Sequence, residues 1–325
     1  MKLKQSLLIA VIISLIGLII WESYWRTKPE YYRANVEDDR YLWAQERAKL
    51  EKVTKDDVVI IGSSRTGFNF NTHEWEETQG YKPINLTASG KPPGPFLEDI
   101  VYNTEFNGTL IIGITPLLWF GSKDNQRWRD ANQWVLHYQN QTYAQKLGFH
   151  VGKPLQRNLV FLTSSELNFY NDLDLKSLIN TLNPESSGLL NFGYNDEDRN
   201  LYMYSSMVSN PKFAEKIQAI WSSFIPSLPE YEKVKDEFSE VFKNRAELIA
   251  KFKGRGGKII FVRHKAEEKW NSGTKRMMPR DKVYDKFIDM VDCPSYHFED
   301  YEFMSKHTLP DWSHMNAVDA KVYTK

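Results

Sequence analysis

Apolar residues fall along this chain in three patterns. Between Ser6 and Trp21 they form an unbroken, charge-free run, SLLIAVIISLIGLIIW. Later runs are short: VVII at 58–61, the strand-like KPINLTASG at 82–90, GTLIIGITP at 108–116 and KIIFVRH at 258–264. Short apolar runs of this kind are what strands buried on both faces of a parallel sheet require. The third pattern has helical spacing. Val234, Phe238, Val241, Phe242, Leu248, Ile249 and Phe252 recur at helical intervals within EYEKVKDEFSEVFKNRAELIAKFKGRGG, and Gly254, Gly256 and Gly257 stop it. Another helical stretch, FLEDIVYNTEF, begins beside Pro92, Pro93 and Pro95. Strand, helix and strand in series predict an α/β fold with a parallel sheet and right-handed crossovers.

The first run decides the organisation. Sixteen helical residues span about 24 Å, slightly under the roughly 30 Å of a bilayer core, and Tyr24 and Trp25 extend the run with interfacial aromatics. No small-x-small cleavage site follows, so residues 1–25 read as an uncleaved signal anchor in preference to a signal peptide. The short leader with Lys2 and Lys4 places the N-terminus in the cytoplasm, although Arg26, Lys28 and Arg33 follow the span. A single-pass membrane protein is expected, with its globular part on the extracytoplasmic side. Residues 26–55 read as a polar, aromatic stalk and 56–325 as one α/β domain. Within it, about 117–229 is rich in Trp, Tyr, Asn and Gln and reads as an insertion over the edge of the sheet that bears the site.

Composition narrows the chemistry. Lys plus Arg is 42 and Asp plus Glu is 42 in 325 residues, so nothing argues for a nucleic-acid partner. The single cysteine, Cys293, excludes an internal disulfide and any multi-cysteine zinc site. No metal or cofactor is expected. The ten Trp and seventeen Tyr suit a carbohydrate-facing or membrane-proximal surface, or core and interface mass.

The candidate chemistry lies where VVII runs into Gly62-Ser63-Ser64-Arg65. A phosphate loop fails because Phe68 and Asn69 stand where Lys and Ser/Thr belong, and a dinucleotide fingerprint fails at Ser64. A G-x-S-x-G elbow is missed at Thr66. What remains is a strand-terminal serine in need of a base. Asp311 and His314, three apart in LPDWSHMNAVDAKVYT, supply one: the carboxylate can hold the Nδ1 proton and leave Nε2 facing the serine. Plainer readings stand beside these. Ser63 and Ser64 can cap the following helix, Gly90 can serve a tight turn, and Arg65 can be a solvated charge rather than a contact to an anionic sugar or carboxylate. His264 reads as structural.

Together these residues resemble the SGNH/GDSL hydrolase superfamily. Its first block is a strand followed by G-D-S; here it is G-S-S, with Ser64 in the nucleophile's place. The second block's glycine looks like Gly90 in NLTASG, and the D-x-x-H block is matched by Asp311-Trp-Ser-His314. GGKIIFVRH and YHFEDYEFM look like segments of membrane-anchored bacterial members, so the resemblance covers about 56–324 outside the insertion. It implies a three-layer α/β/α sandwich and a serine esterase or O-acyltransferase for an acyl ester, such as one on a cell-envelope polysaccharide. Ser64, His314 and Asp311 would be catalytic, with the oxyanion held by Ser64, Gly90 and Thr115. The third block departs: G-x-N-D is expected and GITP (113–116) stands, with Thr115 in the asparagine's place. Loss of one oxyanion donor costs on the order of 10²–10³ in rate. The resemblance therefore also admits an inactive, anchored protein that binds carbohydrate or supports envelope assembly.

Overall fold

Four of the short apolar runs form strands, in a computed structural model that describes residues 3–27, 33–162, 192–225 and 228–325. In chain order the strands are β1 (Val58–Ile61), β2 (Ile84–Asn85), β3 (Thr109–Gly113), β4 (Gly193–Asn195), β5 (Leu201–Met203), β6 (Lys258–Arg263) and β7 (Ser295–His297). Five of them make one parallel sheet in the order β2-β1-β3-β6-β7, and β4 and β5 form a separate antiparallel pair. β1 sets the register, with Val59 opposite Leu110 of β3 and Ile84 of β2.

The runs are apolar throughout because both faces of the sheet are covered. Val59, Ile61, Leu110, Ile112, Ile259 and Phe261 point into one core with the helices Gly94–Asn103, Glu237–Gly254 and Tyr284–Val291. Their alternating neighbours Val58, Ile60, Ile111 and Val262 point into a second core with Leu309, Met315, Ala320 and Tyr323. The period of two along a strand thus sorts each run onto two faces. The long helix stops where expected: Gly256 has φ +92°, and its amide bonds the Lys253 carbonyl at 2.9 Å. It is preceded by a separate turn of helix at Tyr231–Val234, not continuous with it.

Leu3–Arg26 is one helix of 24 residues with a mean hydropathy of 2.4 over its most apolar window and no buried residue, long and apolar enough to cross a membrane. The stalk is shorter than the sequence predicts. From Val36 onward the chain belongs to the body: the helix Arg40–Arg47 buries Leu42, Trp43 and Ala44, and Leu50 follows them into the core. Trp43 Nε1 donates to the Leu86 carbonyl at 3.3 Å, and the buried Arg47 pairs with Asp99. The polar appearance of this stretch comes from charges that are either paired inside or on its outer face.

The expected insertion occupies the crossover from β3 to β6, and residues 163–191 of it lie outside the described residues. Its helix Gln126–Asn140 packs on Arg40–Arg47 and Gly94–Asn103. The β4–β5 pair and the helix Pro211–Phe224 build a small third core, in which Met203, Met207, Phe213 and Ile217 meet Phe68.

Candidate active site

The strand order reverses at β1. The chain passes from β1 to β2 on one side and returns across to β3 on the other. At such a switch point the carboxyl ends of the strands leave an open crevice. Gly62, Ser63 and the helix Ser64–Asn69 follow β1 at this place.

Gly62 is needed there for closeness rather than for a turn. A Cβ at Gly62 would lie 2.2 Å from Thr66 Oγ1, and one at Gly113, at the end of β3, would lie 1.8 Å from the same atom. Two glycines on adjacent strands therefore let the first turn of the serine helix settle directly on the sheet. Thr66 is fully buried as a result.

The two serines have different fates. Ser63 stands at the N-cap position but makes no side-chain cap; its hydroxyl is buried and lies 2.7 Å from Thr115 Oγ1. Ser64, the first helical residue, is half-buried, and its Oγ lies 2.8 Å from His314 Nε2. His314 Nδ1 lies 2.6 Å from Asp311 Oδ2. An ionised carboxylate only accepts, so Nδ1 carries the proton and Nε2 is the acceptor for the Ser64 hydroxyl. The capping reading fails for both serines, because each hydroxyl is committed to a side chain.

Asp311 is fully buried and held by four donors. Its Oδ1 accepts the amides of Ser313 (3.0 Å) and His314 (2.8 Å), and its Oδ2 accepts His314 Nδ1 and Trp221 Nε1 (3.2 Å). Burial alone would raise this carboxyl, but its electrostatic interaction with His314 and the hydrogen bonds from His314 and the Ser313 amide hold it below the ordinary carboxylate value. Trp312 has φ +67°, a left-handed conformation that is rare for a bulky residue. That turn brings the next two amides back to the carboxylate, and it is fixed by the bond from the Glu267 amide to the Trp312 carbonyl at 2.9 Å. The His314 ring is walled by Phe68 (4.8 Å between centroids), Phe192 (5.5 Å) and Trp221 (6.4 Å).

Arg65 is not a solvated charge. It is 3 % exposed, its Nε donates to Ser313 Oγ at 2.9 Å, and its guanidinium lies 5.5 Å from the Trp270 ring. Burial lowers its pKa to about 10 against the opposing pull of Asp311. It thereby ties the serine helix to the histidine loop. Gly90 is exposed in a turn, with φ +69° and its carbonyl accepting Arg127 Nη1 at 3.2 Å. Thr115 is half-buried and directs its hydroxyl to Ser63. His264 is buried with Nδ1 3.1 Å from the Tyr323 hydroxyl, away from this relay. Among the described residues no group of three His, Cys, Asp or Glu is arranged to hold a metal ion.

Sequence reasoning missed Trp221, Ser313, Phe192 and Thr66. Trp221 reaches Asp311 from ninety residues away, in a segment whose only signal was its aromatic content. No family model matches the chain, and no curated protein matches it.

Proposed function

We propose that this chain is a membrane-anchored serine esterase or O-acyltransferase of the SGNH/GDSL kind, acting through Ser64, His314 and Asp311. The observation that carries the reading is the relay itself, with Ser64 Oγ 2.8 Å from His314 Nε2 and His314 Nδ1 2.6 Å from Asp311 Oδ2. These are distances at which a proton passes from hydroxyl to imidazole as the oxygen attacks a carbonyl carbon. The imidazolium then returns the proton to the leaving alkoxide, and water or a sugar hydroxyl takes the acyl group from Ser64. A covered core on each face of the sheet supports a three-layer α/β/α sandwich, and the apolar helix Leu3–Arg26 supports an anchor; the short leader with Lys2 and Lys4 argues for a body on the extracytoplasmic side.

The oxyanion arrangement is the weak part of the likeness. Ser64 opens a helix, so its amide has no intrahelical carbonyl to bond. The Thr115 hydroxyl is shared with Ser63, which favours a second reading, an inactive anchored protein that binds carbohydrate or supports envelope assembly. A fluorophosphonate probe separates the two. The enzyme reading expects labelling of the full chain in detergent and its complete loss in Ser64→Ala; wild type that resists the probe at high concentration while folded overturns it.

A further inference from the structure

The helix Tyr143–Asn158 presents its apolar side outward. Tyr143, Leu147, Val151 and Leu155, each four residues from the last, are 81 %, 50 %, 62 % and 52 % exposed. A four-residue repeat covers about 120° of the helix circumference over this length, so the four form one continuous stripe. None of the helix's sixteen residues is buried. The side turned to the body is largely polar: Lys153 Nζ donates to Gln45 Oε1, Gln156 Oε1 accepts the Glu37 amide, and Phe149 lies parallel to Tyr41 at 6.0 Å. A helix folded for water would be turned the other way.

Two further observations say what lies against the stripe. The helix carries Lys146, Lys153 and Arg157 and no acidic residue. Its C-terminal end also meets the last turns of the apolar helix Leu3–Arg26. Arg26 Nη2 donates to the Asn158 carbonyl at 2.7 Å, and the Glu22 carboxylate accepts the amides of Val160 (3.0 Å) and Phe161 (3.2 Å). Trp21, Tyr24 and Trp25 cluster at that same end of the span, where aromatic residues mark the headgroup level.

We propose that Tyr143–Asn158 lies on the surface of an anionic phospholipid bilayer, with Tyr143, Leu147, Val151 and Leu155 at the boundary between headgroups and acyl chains. An interfacial helix of this kind combines an apolar face with Lys and Arg beside it. Lys146 is exposed and has no ion pair among the described residues, so it can meet lipid phosphates, while Lys153 and Arg157 share Glu197. The proposal rests on reading Leu3–Arg26 as an anchor, and is independent of any chemistry at Ser64.

The test uses the full chain with Cys293→Ser, reconstituted in phosphatidylglycerol-containing liposomes. A single cysteine at Leu147, Val151 or Leu155 carries an environment-sensitive fluorophore. Lipids with a shallow nitroxide are expected to quench these probes about twofold, in keeping with a helix seated a few ångströms into the interface, and aqueous iodide to leave them bright. Leu147→Asp with Val151→Asp should abolish the lipid quenching of a probe at Leu155; both sites are exposed, so the fold tolerates the change. Probes at the three sites that iodide quenches freely in liposomes overturn the proposal. So do probes shielded from iodide yet untouched by the nitroxide lipids, since protein, such as residues 163–191 or a second copy, would then cover the stripe. A probe at Leu15 read with a deep nitroxide reports separately on the anchor, so its failure is distinguishable from that of the surface helix.

Discussion

Ser63 and Ser64 are chain neighbours with opposite surroundings, and substitutions should separate them. Ser64→Ala is expected to remove probe labelling and any ester turnover while leaving the melting temperature nearly unchanged, because a half-buried hydroxyl contributes little packing. Ser63→Ala breaks the contact to Thr115 and should cost about 1 kcal/mol of stability, with the relay intact. Trp221→Phe tests a residue that only the structure identifies. It takes one of four donors from Asp311, a bond to a charged group worth about 1.5–3 kcal/mol. Turnover should fall roughly tenfold or more, read as kcat/KM on any ester the wild type cleaves; unchanged turnover would mean that the remaining three donors hold the carboxylate unaided.

At the scale of elements, the serine helix is positioned by absence of side chain. Gly113→Ala places a methyl group against Thr66 and is expected to destabilise by about 1–3 kcal/mol and to shift Ser64 away from His314, so labelling slows as well. Adding Thr66→Ala removes the hydroxyl and methyl met at 1.8 and 2.7 Å but leaves the residue's Cβ at 2.8 Å, so it should recover part of both losses, and a double variant no better than Gly113→Ala would refute the close-approach account. Much of this architecture was legible beforehand. β1, β3 and β6 follow from runs of VVII, TLIIG and KIIFVR whose Val, Leu, Ile and Phe residues pack on one face or the other. The D-x-x-H spacing marked Asp311 and His314 because a one-turn separation is local information. What stayed hidden was non-local. β7, Ser-Tyr-His, has no apolar run and is a strand only because β6 offers it an edge. Trp43 and Leu50 sat in a segment too polar on average to read as core. The role of Gly62 was hidden too, since nothing in the sequence says that Thr66 would press against it.

For the whole molecule, acid should weaken the fold through two buried histidines. His264 and His297 are buried, and burial, reinforced by Arg263 and by Arg65 or Arg280 respectively, lowers each pKa from 6.5 to about 3. Both imidazoles stay neutral in the folded chain while the unfolded chain takes up protons, so stability is complete above pH 6.5 and falls as the pH drops toward 3. Each contributes a slope of up to about 1.4 kcal/mol per pH unit. Melting temperatures taken from pH 7 to pH 4 should decline steadily, and a flat profile would count against the buried, neutral histidines. The true start of the body near Val36 is also open to trial. A version beginning at residue 33 should unfold cooperatively, whereas one beginning at residue 56 lacks Trp43, Arg47 and Leu50 and should not. Even the better of these two will be a poor solute. Without lipid, Tyr143, Leu147, Val151 and Leu155 become a greasy ridge on an otherwise polar particle, and such ridges bring copies together as concentration rises. Sedimentation should show reversible clustering that Leu147→Lys with Val151→Glu suppresses. Deleting the apolar helix Leu3–Arg26 would not by itself make a water-soluble protein while a second apolar surface of this size stays exposed.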